Sequence, residues 1–139
     1  MLHAYLLAAS ACVILALGLA HLWLTFVGTR LHPRSPECRA AMEADQPVLT
    51  RQTTIWRTWI GFNASHSLGA ILFGLVYGYL ALAQSAVLFG SAFLLAVGAV
   101  LLLGYAALGK LYWFSTPFGG ILLSAALYLG ALLALASGA

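Results

Sequence analysis

Charge is what this sequence lacks most. Only 6% of its 139 residues are charged, six Lys or Arg and three Asp or Glu. A soluble domain carries about 25%, so nine charged side chains cannot clothe a water-soluble core of this size. Disorder is excluded too, because 63% of the residues are hydrophobic and disordered chains are poor in them. Two cysteines are too few for a disulfide-stapled secreted scaffold. Cys12 sits in an apolar run and Cys38 in a polar stretch, so no pairing is expected. Acid is scarcer still: Glu37, Glu43 and Asp45 share one polar connection, and none lies in an apolar run. That disfavours proton-coupled export through a membrane carboxylate, and it excludes a carboxylate-bridged metal centre inside the bundle.

What is present is apolar length. Four runs stand out, at about 2–27, 55–82, 86–108 and 118–136. Each reaches the roughly 20 residues that a helix needs to cross the hydrocarbon. Transmembrane strands would be about 10 residues long with strict alternation, and these runs do not alternate. Inside lipid each backbone N–H and C=O has to be paired within its own segment, which dictates helices. The fold expected is therefore all-α: a single membrane domain, a four-transmembrane-helix antiparallel bundle. The first run is read as a retained helix. It has no basic residue before it, and it exceeds the roughly 7–15 apolar residues of a signal sequence.

The basic residues set the orientation. Arg30, Arg34, Arg39, Arg51 and Arg57 lie in or beside the first connection, and Lys110 lies in the third. All six fall on one side of a four-span arrangement, which the positive-inside rule makes the cytoplasm. Both termini then face the opposite side. The high pI of this chain is explained by topology, and no nucleic-acid partner is expected.

The polar connection, 28–54, holds its own punctuation. Ser35-Pro36-Glu37 reads as an N-cap, a proline in the first turn and an acid beside it. Asp45-Gln46-Pro47 reads as the stop, giving a short cytoplasmic helix over about 36–44. Thr50, Thr53 or Thr54 is placed to cap the second span. Gln84-Ser85 makes a short link, so spans two and three are expected to form a tight hairpin. Ser115 or Thr116 is placed to cap the fourth span, next to Pro117. Gly74 and Gly78, with Ala70 one turn earlier, form a small-residue row suited to close helix packing. Trp23, Trp56, Trp59, Trp113 and Tyr112 read as an aromatic belt at the cytoplasmic interface, with Tyr5, Tyr77, Tyr79 and Tyr128 at the other.

Two histidines lie within the spans, and ionisable groups there are candidates for function. His21 precedes Arg30 by nine residues and His66 follows Arg57 by nine. At about 1.5 Å per residue each lies about 13 Å from an arginine on the same side. The two imidazoles can therefore sit at similar depth on neighbouring antiparallel helices. Asn63 shares a face with His66, and Gly18 and Thr25 share one with His21. Tyr105, Lys110, Tyr112, Ser115 and Thr116 fall toward the same end. Three readings stay open. The histidines are polar links between helices; or His21 and His66 ligate a haem; or His66, with Asn63 and Tyr105 or Lys110, does acid–base work on a lipid-like substrate. His3 reads as a surface residue and His32 as a solvated one. Two histidines without a Cys or carboxylate partner make a weak zinc site.

Ala20-His21-Leu22, Gly61-Phe62-Asn63-Ala64-Ser65-His66-Ser67-Leu68-Gly69 and Tyr112-Trp113-Phe114 before Pro117 together resemble a family of small bacterial four-span membrane proteins with no assigned activity. The resemblance covers most of the chain and implies a bacterial inner-membrane protein; it implies no reaction. The functional expectation is a cytoplasm-facing polar pocket at His21, Asn63 and His66, with Tyr105 and Lys110 as further ligand-binding candidates. It would take a lipid-like molecule or a haem. The alternative is a non-catalytic accessory subunit in which these residues serve packing. A homo-oligomer or a larger membrane complex is compatible with either.

Overall fold

The computed structural model describes residues 1–138. Among them are six helices and no strand: α1 (Leu2–Phe26), α2 (Pro36–Ala44), α3 (Ile55–Ala83), α4 (Ser85–Phe89), α5 (Ala92–Tyr112) and α6 (Ser115–Ala136). The fold is all-α, and α1, α3, α5 and α6 are each long and apolar enough to cross a membrane. The chain divides into two compact units, Gly18–Gly69 and the remainder, with α1 and α3 contributing to both.

The larger unit, Met1–Leu17 and the chain from Ala70 onward, is the four-helix part. Its contacts run in opposite chain directions, as an antiparallel bundle requires. Gly74 meets Leu15 while Gly78 meets Ala11; Gly120 meets Leu17 while Gly130 meets Leu6. Gly74 is indispensable to the first seam, since a Cβ there would lie 2.5 Å from the Leu15 Cβ and 2.9 Å from the Ala11 carbonyl. The small-residue row thus seats α3 on α1. Ser10 and Ser124 are fully buried and face each other: each hydroxyl donates to the other's backbone carbonyl, at 2.8 and 3.0 Å, and the two oxygens lie 2.8 Å apart. Reciprocal pairing answers the need to satisfy polar atoms away from water.

Two tyrosines depart from the interfacial expectation. Tyr77 and Tyr128 are buried, and donate to consecutive carbonyls of α5, Leu94 at 2.7 Å and Leu95 at 2.8 Å. Gly98 makes room for them: a Cβ there would stand 2.6 Å from the Tyr128 hydroxyl. A phenol inside the bundle needs an acceptor, and the open helix face beside a glycine exposes two.

Span boundaries also shift. The third span starts at Ala92 rather than near 86, because Gly90 ends the short α4 and Ser91 caps α5 through a 3.3 Å bond from the Leu94 amide. The link after α3 is therefore a helical turn and not a bare hairpin loop. The fourth span starts at Ser115, and Phe114 occupies the cap position without a side-chain bond. Ser115 and Thr116 lie inside the first turn and do not cap it; Pro117 sits there too, where a missing N–H costs nothing.

The smaller unit, Gly18–Gly69, holds the ends of α1 and α3 and the polar connection. Gly28, at φ +84°, takes the left-handed conformation that commonly closes a helix. Ser35 caps α2 by accepting from the Cys38 amide at 3.1 Å, and Asp45 ends it. Thr54 caps α3 by accepting from the Arg57 amide. The connection folds back onto α3. Trp59 Nε1 donates to the Leu31 carbonyl at 3.2 Å, and the Ile55 amide donates to the Asp45 carbonyl at 3.0 Å. The Arg39 guanidinium lies 3.4 Å over the Trp56 ring and pairs with Glu43 at 2.7 Å. Arg39 also donates to His32 Nδ1 at 3.0 Å, and the His32 ring meets Trp56 edge-on. His32 is thus part of a packed cluster and not a solvated side chain.

Candidate functional site

Three of the sequence candidates meet inside the smaller unit. His21 comes from the last turns of α1; Asn63 and His66 come from α3, three residues apart and so on one face. Each is half-buried. The His21 and His66 rings are nearly perpendicular, with centroids 5.6 Å apart. Asn63 bonds His21, not His66: Oδ1 stands 3.1 Å from His21 Nε2.

The hydrogen bonds assign the His21 tautomer. Asn63 Nδ2 donates to the Trp59 carbonyl at 2.8 Å, which can only accept. The amide orientation follows, leaving Oδ1 toward His21. An amide oxygen only accepts, so Nε2 carries the hydrogen and, in the neutral ring, Nδ1 is bare. Nδ1 has no hydrogen-bond partner among the described residues. One turn further on α1, the buried Thr25 hydroxyl donates back to the His21 carbonyl at 2.8 Å. On α3 Ser67 donates to the Asn63 carbonyl at 2.8 Å and Ser65 to that of Phe62 at 3.0 Å. These hydroxyls are satisfied by their own helices, as apolar surroundings demand. The His21 ring, through Nδ1, is the group with an acceptor to spare.

The apolar side chains beside the site are strongly exposed: Leu19, Trp23, Phe62 and Leu68, at 51%, 65%, 74% and 57%. Among the described residues no group of three His, Cys, Asp or Glu is placed to hold a metal ion.

Tyr105 and Lys110 belong to the other unit. Tyr105 lines a shallow apolar groove of about 480 Å³ along α5, with Phe93, Val97, Val100 and Leu108. Lys110 is exposed in the last turn of α5, where a cation complements the helix dipole. His3 lies against Phe89 of α4, ring centroids 4.6 Å apart, in the larger unit. The sequence reading missed the Trp59 carbonyl as the anchor of Asn63, although four-residue spacing on a helix was the available signal. It also missed the Ser10–Ser124 bridge, whose only trace is one hydroxyl in each of two apolar runs.

Comparison with family models, with curated proteins and with solved structures finds no match to this chain.

Proposed function

We propose that this is a multi-pass protein of the bacterial inner membrane that binds the polar head of a lipid-like molecule at His21, Asn63 and His66. Its termini lie on the non-cytoplasmic side, which places these residues toward the cytoplasmic leaflet. The orientation rests on the basic residues, and the bacterial setting on the resemblance of the motifs around His21, Asn63 and Trp113. The observation that carries the binding reading is the oriented His21 ring. Asn63 holds Nε2 through an amide that is itself anchored on Trp59. This leaves an imidazole acceptor, Nδ1, in an apolar setting with a second imidazole 5.6 Å away. A bare acceptor there recognises a head group that donates a hydrogen bond, a hydroxyl above all.

Haem is the other ligand this arrangement admits, because the nitrogen left bare by the Asn63 bond, His21 Nδ1, is also what an axial imidazole offers iron. The accessory-subunit reading is favoured by one observation, that both polar ends of the Asn63 amide are consumed inside the protein.

Native mass spectrometry of the gently purified protein, with an absorption spectrum alongside, separates the three. The expected result is a lipid-like adduct that is lost in His21→Ala and His66→Ala, with no Soret band. A Soret band that disappears in those variants replaces the organic ligand by haem. Unchanged adducts, together with co-purification in a larger complex, replace binding by packing.

A further inference from the structure

We infer that the segment joining α2 to α3 is a lipid-docking loop, which inserts Val48 and Leu49 into the bilayer interface and holds anionic phospholipid headgroups on arginines of the same unit, Arg51 foremost.

The loop has a closed base and an apolar tip. The Ile55 amide donates to the Asp45 carbonyl, which joins its two ends. Within it the Thr50 amide donates to the Pro47 carbonyl, and Thr50 Oγ1 accepts from the Gln52 amide. Compact loops of this length with adjoining ends are recurrent functional elements. At the turn, Val48 and Leu49 are fully exposed, at 109% and 94%. The turn is hydrogen-bonded, yet Val48 and Leu49 are left open to the surroundings. Leu49 is six residues from Ile55, the first residue of a spanning helix. At about 3.5 Å per residue it stays within about 21 Å of that helix end. A tip tethered so closely to a membrane helix has the bilayer surface as its nearest apolar medium.

The charges select the lipid. The smaller unit carries five arginines against three acids. Each acid is already engaged: Glu37 accepts from Ser35 Oγ, Glu43 pairs with Arg39, and Asp45 accepts from the Gln46 amide. Arg39–Glu43 is the one ion pair among the described residues. Arg30, Arg34, Arg51 and Arg57 are all exposed and have no acidic partner there. Guanidinium groups beside an inserted apolar tip are complementary to phosphate at the headgroup level. A nucleic acid or an acidic protein would answer the charge but leave the tip unexplained.

The test uses the full chain in vesicles. One protein carries Leu49→Cys with Cys12→Ser and Cys38→Ser; a second keeps Cys38 as its single cysteine, as a reference for the label's own affinity. Each is spin-labelled and probed for collision with oxygen, which dissolves in lipid, and with a water-soluble nickel chelate. Vesicles of phosphatidylcholine alone are compared with vesicles containing phosphatidylglycerol. The expected result is a several-fold rise in the oxygen-to-nickel ratio at position 49 on adding phosphatidylglycerol, with a smaller change at Cys38. Arg51→Gln should reduce the preference for the anionic lipid about fivefold. A position-49 label open to nickel in both vesicle types overturns the inference. So does insertion that ignores lipid charge, or protection seen only after an acidic protein or a nucleic acid is added.

Discussion

Asn63 shows how one side chain holds two helices and a tautomer at once. Its amide spans from the Trp59 carbonyl on its own helix to the His21 ring on α1. Interhelical hydrogen bonds of this kind are worth about 0.6 kcal/mol on average in membranes, reaching about 1.7 kcal/mol. Asn63→Leu is therefore expected to destabilise the protein by about 1 kcal/mol in reversible unfolding from mixed micelles. In the lipid-binding reading it also weakens adduct retention, because His21 loses its orientation. A variant of unchanged stability that releases no ligand contradicts both roles. The residue types at this site were readable from sequence, since polar groups in apolar runs stand out. Which partner Asn63 takes was not, because His21 and His66 both lie within its reach.

Among the helices, α5 is the one whose surface is specialised. Gly98 admits the Tyr77 ring and the Tyr128 hydroxyl, whereas Gly104 has open space around it. Gly98→Ala is expected to cost about 1–3 kcal/mol by overpacking, since the new methyl group collides with both phenols. Gly104→Ala should be neutral or slightly stabilising through helix propensity. Unfolding curves that place the two variants together would refute the assignment. In α2 the Ser35 hydroxyl donates to Glu37 and holds its carboxyl below the ordinary range, and the Glu37 backbone amide acts in the same direction. The sign follows from the depressed value. This contribution is present above the unfolded-state pKa and is lost as pH falls through the folded one. Protection of the Cys38 and Arg39 amides, measured as exchange relative to the unstructured rate at the same pH, should accordingly fall in acid, and Glu37→Gln should remove that dependence. The α2 boundaries were legible because Ser35, Pro36 and Asp45 are local signals. The start of α5 was signalled just as locally by Gly90-Ser91, but the continuous hydropathy from 86 onward masked it.

For the whole molecule, the placement of its charges makes a topological prediction. All six basic residues lie in or beside the first and third connections, which the positive-inside rule assigns to the cytoplasm. Cys38 is exposed on α2. In spheroplasts its labelling should require a membrane-permeant maleimide. Efficient labelling by an impermeant reagent in intact spheroplasts would reverse the orientation, and with it the leaflet proposed for the His21 site. The docking loop would then meet the opposite leaflet, so the same experiment constrains both readings.

The amino-acid sequence by itself determined the membrane class, the number of spans, the helical state and the capped helix in the polar connection. These follow from hydropathy, from the need to pair backbone groups within lipid, and from short-range capping chemistry. Only the tertiary structure decided which side chains meet. In a soluble helix the buried face is apolar and the other polar, so the pattern reveals the packing. In these spans the lipid-facing side is as apolar as the interior, and that contrast disappears. Tyr77 and Tyr128 thus read as interfacial yet lie in the core beside Gly98. His32 read as solvated, yet it joins the Arg39–Trp56 cluster. Close helix contact depends on the shape of small residues against neighbours distant in sequence, and no local pattern encodes that.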